Sequence, residues 1–197
     1  MVSAANLCYP SAMRIWIIAD THFYHENIKR YQGRPDDFNE QIIRNWCNKV
    51  THDDLVIHLG DVIFGLNKEA RLPSLMASLP GKKVLCRGNH DPKPAEWYME
   101  RGFDFVCDYF VYKDIAFSHA PVTPLPPQTL ISDGRPVAKN IHGHFHKGSV
   151  GKDREQAEPS MHEDVYYDGA YYKAHRESYQ LVQIENGLAP VLLDDLI

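Results

Sequence analysis

No run of apolar residues approaches the ~18 that a membrane-crossing helix requires, so the sequence predicts no spanning segment and no membrane partner. Positive charge is also scarce: Lys plus Arg number 21 against 26 Asp plus Glu, a formal net charge of −5, with no polybasic tract. Bulk attraction to long nucleic acid or anionic lipid is therefore not expected, and any phosphate chemistry needs a local positive field. Cysteine is sparse. Cys8, Cys47, Cys86 and Cys107 form no C-x-x-C pair, and nothing marks secretion, so a disulfide framework is not expected. Cys47 and Cys86 lie in apolar runs and read as small core residues. Residues 1–12 lack the charged and apolar regions of a signal peptide, and the expected location is cytoplasmic.

Apolar residues make up 44% and charged residues 24%, values that fit a folded globular chain rather than disorder, collagen or coiled coil. At about 150 residues per domain the length predicts a single domain, placed at 13–197 because residues 1–12 do not look like core and the first strand begins after them, leaving 1–12 as an N-terminal extension. The run RIWIIA at 14–19 reads as a buried strand. Residues 39–50 place Ile42, Ile43, Trp46, Cys47 and Val50 on one helical face. A second strand at 55–59, a helix at 68–79 with Leu72, Leu75, Met76 and Leu79 inward, a third strand at 83–86 and a short helix at 94–101 follow. Beyond these the pattern is strand: 103–111, 115–118, 137–141, 165–167 and 179–184. The segment 121–136 carries five prolines and reads as an extended connection, and 147–163 as a loop. An alternating βα half and a strand-rich half suit two packed sheets.

Polar residues stand where the strands end: Asp20 and His22, Asp61, Asn89 and His90, His119, then His144 and His146. Sites in α/β sheets gather beyond the carboxyl ends of strands. Residues two apart in extended chain point the same way, which would pair Asp20 with His22 and His144 with His146. Gly60, Gly88 and Gly143 precede these residues, where a sharp turn is expected. Chance expects about 0.9 Asp-x-His pairs in this composition, so that pair alone says nothing; Gly-Asn-His-Asp is expected about 0.002 times. Gly88-Asn89-His90-Asp91 is the specific signal.

With these residues in this order the chain resembles the calcineurin-like metallophosphoesterases, whose motifs run D-x-H, G-D, G-N-H-[DE], a single His and G-H-x-H. Here they stand as Asp20-Thr21-His22, Gly60-Asp61, Gly88 to Asp91, His119, and Gly143-His144-Phe145-His146. His25-Glu26-Asn27-Ile28 with Arg34-Pro35 is similar to a small group of bacterial and phage members. His119-Ala120-Pro121 replaces the family's usual His-Tyr-Pro, which bears on pocket shape. The resemblance implies a four-layer α/β/β/α sandwich of two mixed sheets flanked by helices. It implies two divalent transition-metal ions, manganese first, with iron, zinc or nickel also suited to such donors. The first would take Asp20, His22 and His146, the second Asn89, His119 and His144, with Asp61 bridging. No cysteine is in the set, which speaks against a structural thiolate zinc site. Two divalent ions against two carboxylates leave a local positive excess that can bind phosphate on an acidic chain.

The activity so implied is hydrolysis of phosphomonoesters or phosphodiesters by a hydroxide bridging the metals, with His90 as general acid held by Asp91. A small phosphate ester or nucleotide-type molecule is the expected substrate. Alternatives are a nuclease of the same superfamily, which a short acidic chain without a basic stripe disfavours, and a non-catalytic scaffold with the same fold, which the complete motif set disfavours. The oligomeric state is open.

Other residues have plainer readings. His142 suits a supporting or solvent position rather than a ligand, and His58 the core. His52, His162 and His175 suit the surface. His25 is balanced between surface and substrate loop, and Arg87 between a phosphate contact and a strand-end salt bridge. Lys29, Arg30 and Arg34 read as a solvated helix face. Tyr166, Tyr167, Tyr171 and Tyr172 read as strand packing rather than a nucleobase platform.

Overall fold

A computed structural model describes residues 12–65, 67–123, 136–146 and 169–197. The expected loop at 147–163, the strand at 165–167, most of the proline-rich connection, all but residue 12 of the N-terminal extension, and Cys8, His162, Tyr166 and Tyr167 lie outside these residues.

The first sheet is built from β1 (Ile15–Ile18), β2 (Leu55–His58), β3 (Lys82–Cys86), β4 (Phe105–Cys107) and β9 (Val191–Leu192), in the order β4-β3-β2-β1-β9. The four neighbouring strands run parallel, and β9 closes the β1 edge antiparallel. The second sheet has the order β5-β6-β7-β8, from Tyr109–Tyr112, Ile115–Ser118, Lys139–His142 and Tyr179–Leu181. Its β5–β6 pair is antiparallel and the other two pairs are parallel, so both sheets are mixed.

Alternation along each strand sorts the side chains into layers. Trp16, Ile18, Val56, Leu85 and Val106 face outward onto helices α1 (Glu26–Gln32), α2 (Phe38–Lys49), α3 (Lys68–Ser78) and α4 (Ala95–Met99). Phe38, Ile42 and Trp46 of α2, with Leu72 and Met76 of α3, fill that core. Ile17, Ile57 and Cys86 face the other way and meet Phe117 and Ile141 of the second sheet. Each such fully buried side chain stabilises by about 1.5–3 kcal/mol. On the far face Ala116 and Tyr179 pack against Tyr172 of α5 (Gly169–Ala174). The four-layer α/β/β/α sandwich is thus as the resemblance implied.

Several local expectations are corrected. The apolar stretch 103–111 is two strands in two sheets: the chain leaves one sheet after Cys107 and enters the other at Tyr109. Periodicity cannot see this, because the stretch is apolar on both faces of both strands and only Asp108 separates them. Cys47 is exposed although it lies in an apolar run, since the helix turns it away from Trp46. Tyr171 and Tyr172 lie on a helix, not a strand. Helix α1 was expected only as a solvated helix face at Lys29, Arg30 and Arg34, being too short for a clear period, and strand β9, of two residues, was not expected.

Candidate metal centre

All the motif residues come from loops at the carboxyl ends of β1, β2, β3, β6 and β7. The loops after β1 and β2 stay paired beyond the sheet, through Asp20 N–H to Gly60 O (3.0 Å) and His22 N–H to Asp61 O (2.9 Å). Contrary to the expectation from sequence, extended alternation does not aim the side chains. Asp20, His22, Asp61 and His144 instead sit in the left-handed region, at φ 52°, 45°, 56° and 67°. Such backbone is rare for non-glycine residues and persists only where surrounding contacts over-determine it. Of the three glycines, Gly60 alone has the turn conformation expected (φ 84°). Gly88 and Gly143 are there for space. A Cβ on Gly88 would lie 2.6 Å from Asp61 N, and one on Gly143 would lie 2.6 Å from Asp20 Oδ2.

The two carboxylates follow one rule. Asp20 Oδ2 accepts from His144 N–H (2.9 Å), and Asp61 Oδ1 accepts from His90 N–H (2.8 Å). The other oxygen of each points into the cluster. Asp61 Oδ2 lies 3.4 Å from His22 Nε2 and 3.6 Å from His119 Nε2. Asp20 Oδ1 is buried with no hydrogen-bond partner among the described residues, 3.9 Å from His119 Nδ1 and 4.0 Å from His146 Nε2. Burial, with Asp61 and Glu185 nearby, pushes the Asp20 carboxyl well above its ordinary range. Carboxylates packed this way call for a cation.

The imidazoles are oriented from behind. His119 Nδ1 donates to Leu59 O (2.8 Å), which turns the lone pair of Nε2 toward Asn89 Oδ1 (2.9 Å) and His144 Nδ1 (3.1 Å). His146 Nδ1 donates to Glu185 Oε1 (3.0 Å), which leaves its Nε2 facing His22 Nε2 at 3.3 Å. Burial holds His22 down to about 2 and His144 down to about 3, so both rings are neutral, the form that binds metal. Asp20, His22 and His146 bring ligand atoms within 4.8 Å of one another, and so do Asp20, Asp61 and His119. Carboxylate, imidazole and amide ligand atoms converging here, with Asp20 Oδ1 left without a hydrogen-bond partner among the described residues, fit a pair of divalent ions.

His90 sits beside this cluster, its ring centroid 5.5 Å from His22 and 5.3 Å, edge-on, from Phe64. Asp91 has a different task from the one expected. It is buried, and burial together with Asp61 pushes its carboxyl up to about 7. Its Oδ2 accepts from Asp61 N–H (2.6 Å) and Gly88 N–H (2.9 Å), and its Oδ1 from Val62 N–H (3.2 Å). It clamps the second and third motif loops together rather than steering the His90 ring.

Arg34 overturns its solvated reading: its side chain is fully buried and pairs with Glu185 at 2.7 Å. Glu185 carried no signal in the sequence, because nothing local ties it to a histidine 39 positions away. Arg87 is the strand-end salt bridge, 2.6 Å from Asp108. His25 caps α1 through Ile28 N–H and stacks on Phe64 at 4.2 Å. His142 is buried between Gly143 O and the Tyr172 hydroxyl, and His58 is buried against Thr21 Oγ1. His52 and His175 are exposed.

Comparison with known proteins places this geometry. The family model described as calcineurin-like phosphoesterase matches residues 13–168. An uncharacterized protein of Methanocaldococcus jannaschii is 37% identical over 140 residues, 69% of this chain and 71% of that one. A crystal structure of a protein of unknown function from Aquifex aeolicus superposes with a TM-score of 0.65 at 25% identity, covering 93% of this chain and 97% of that one. A nuclease from Pseudomonas putida gives a TM-score of 0.45 at 19% identity, over 79% and 73%.

Proposed function

The chain belongs to the calcineurin-like phosphoesterase family, and from that premise we propose that it hydrolyses small phosphate esters or nucleotide-type substrates at a two-metal site. Asp20, His22 and His146 would hold one ion, Asn89, His119 and His144 the other, and Asp61 would serve both. Two bound divalent ions supply an activated water and neutralise charge on the phosphoryl oxygens. Mixed carboxylate, imidazole and amide donors suit manganese, iron, zinc or nickel, and manganese is the first to try.

The remaining chemistry belongs to the chain. His90 is carried to the site by its own N–H bond to Asp61, and its ring is left unclamped by Asp91. It would hand a proton to the departing oxygen. Asp91 serves by locking the loops that carry Asp61 and Asn89. The observation that supports this reading best is the convergence of carboxylate and imidazole ligand atoms, with the far nitrogens of His119 and His146 already engaged.

The test is a substrate panel with manganese added: a nitrophenyl monoester, a bis-nitrophenyl diester, 2′,3′-cyclic nucleotides and single-stranded DNA. Hydrolysis of a small ester that Asp61→Asn abolishes is the expected outcome. No metal-dependent turnover on any of them would falsify the proposal, and cleavage confined to DNA, with salt-dependent binding, would replace it by a nuclease.

A further inference from the structure

Resting on that two-metal reading, we propose that Arg34 and Glu185 form a positioning brace that sets the affinity of one metal site, that of Asp20, His22 and His146, without acting on the other. Glu185 Oε1 receives three donors: His146 Nδ1 at 3.0 Å, Arg34 Nε at 3.1 Å and Arg34 Nη2 at 2.7 Å. Arg34 reaches onward to the backbone of the first motif. Its Nη1 donates to Thr21 O and its Nη2 to Asp20 O, each at 2.7 Å. A single guanidinium thus joins the strained segment that presents Asp20 and His22 to the carboxylate that orients His146.

The arrangement is asymmetric. His119, on the other side, is oriented by a neutral carbonyl, Leu59 O. His146 is oriented by a carboxylate, and such a bond both fixes the ring and raises its basicity as a ligand. Arg34 makes the charge tolerable: its side chain is 0% exposed and that of Glu185 5%, and neither ion would be stable there alone. Gln183 adds a tie, its Nε2 donating to Phe145 O at 3.0 Å, so the turn carrying Glu185 is held to the His144–His146 segment.

The experiment is calorimetric titration of the metal-free full chain with manganese. Two equivalents are expected for the wild type. Glu185→Gln should weaken one of them by about 10–100-fold and leave the other within about twofold. In a His146→Ala background the same substitution should change affinity by less than about twofold, because the brace acts through that ring. Thermal unfolding of the metal-free proteins is read alongside, and the variant should lose part of the manganese-induced rise in Tm. Should the Gln variant not fold, Glu185→Asp, which keeps the buried negative charge but draws back the oxygen that His146 and Arg34 share, is expected to show the same selective loss. Unchanged affinity, equal weakening of both equivalents, or the same loss without His146 overturns the brace alone. A wild-type chain that takes up no manganese overturns the metal reading and the brace together.

Discussion

Adding one methyl group at Gly143 should disable the site while leaving the fold in place. The Cβ of Gly143→Ala would stand 2.6 Å from Ala19 Cβ, 2.6 Å from Asp20 Oδ2 and 3.4 Å from Leu59 O. Carbon atoms prefer about 3.5–4.0 Å, so a separation of about 1 Å must be found. Ala19 is fully buried between the sheets and cannot retreat. The Asp20 carboxylate gives way instead, and with it the 2.9 Å bond from His144 N–H. Overpacking of this kind costs about 1–3 kcal/mol. At about 2–4 °C per kcal/mol for a chain of this size, Tm should fall by about 2–12 °C. Misplacing a reacting group by about 1 Å costs on the order of 100-fold in rate, so kcat/KM with manganese should drop by about that factor. The assays are thermal unfolding and steady-state hydrolysis of a nitrophenyl ester. Activity within twofold of wild type at unchanged Tm would refute the claim that Gly143 is required for close approach.

His90→Ala should retain both manganese equivalents yet lose about 10²–10⁴-fold on an alkyl phosphate, and far less on a nitrophenyl ester whose leaving group needs no proton; equal losses on both would remove His90 as the acid. Asp54 offers a pH test of stability. Burial raises its carboxyl, but hydrogen bonds from Arg14 and Thr51 outweigh that and hold it well below the ordinary range. A depressed folded pKa adds stability above the unfolded value of about 3.9, and that stability is lost as pH falls through the folded one. The gap in urea midpoint between wild type and Asp54→Asn should therefore be full at pH 6 and shrink steadily below pH 4. A gap that does not vary with pH would show that the ion pair is not its source. Phe117→Ala, which empties a fully buried site between the sheets where the ring stacks on Phe110 at 4.9 Å, should cost about 3–5 kcal/mol in chemical denaturation. A cost under 1 kcal/mol would mean that the inter-sheet core is not closely packed.

Much of this protein was legible in its sequence. The apolar runs before Asp20, Asp61 and Asn89 are strands because short runs rich in isoleucine, valine and leucine, bounded by polar residues, suit a parallel sheet covered on both faces. Once those strands are parallel neighbours, the polar residues that follow them must meet at one end of the sheet, so the site was readable from the order of motifs. The helices α2 and α3 were readable from their apolar faces.

What the sequence alone determined is therefore the set of elements and the identity of the converging side chains, because periodicity and strand-end position are local properties. Only the tertiary structure decided how those side chains are held. Arg34 and Glu185 stand 151 residues apart and meet inside the protein. Asp91 turns from the His90 ring to three backbone N–H groups, and 105–112 divides between two sheets. Each of these outcomes depends on which buried polar groups find partners once the sheets close together, and a buried charge finds its partner by geometry, not by proximity along the chain.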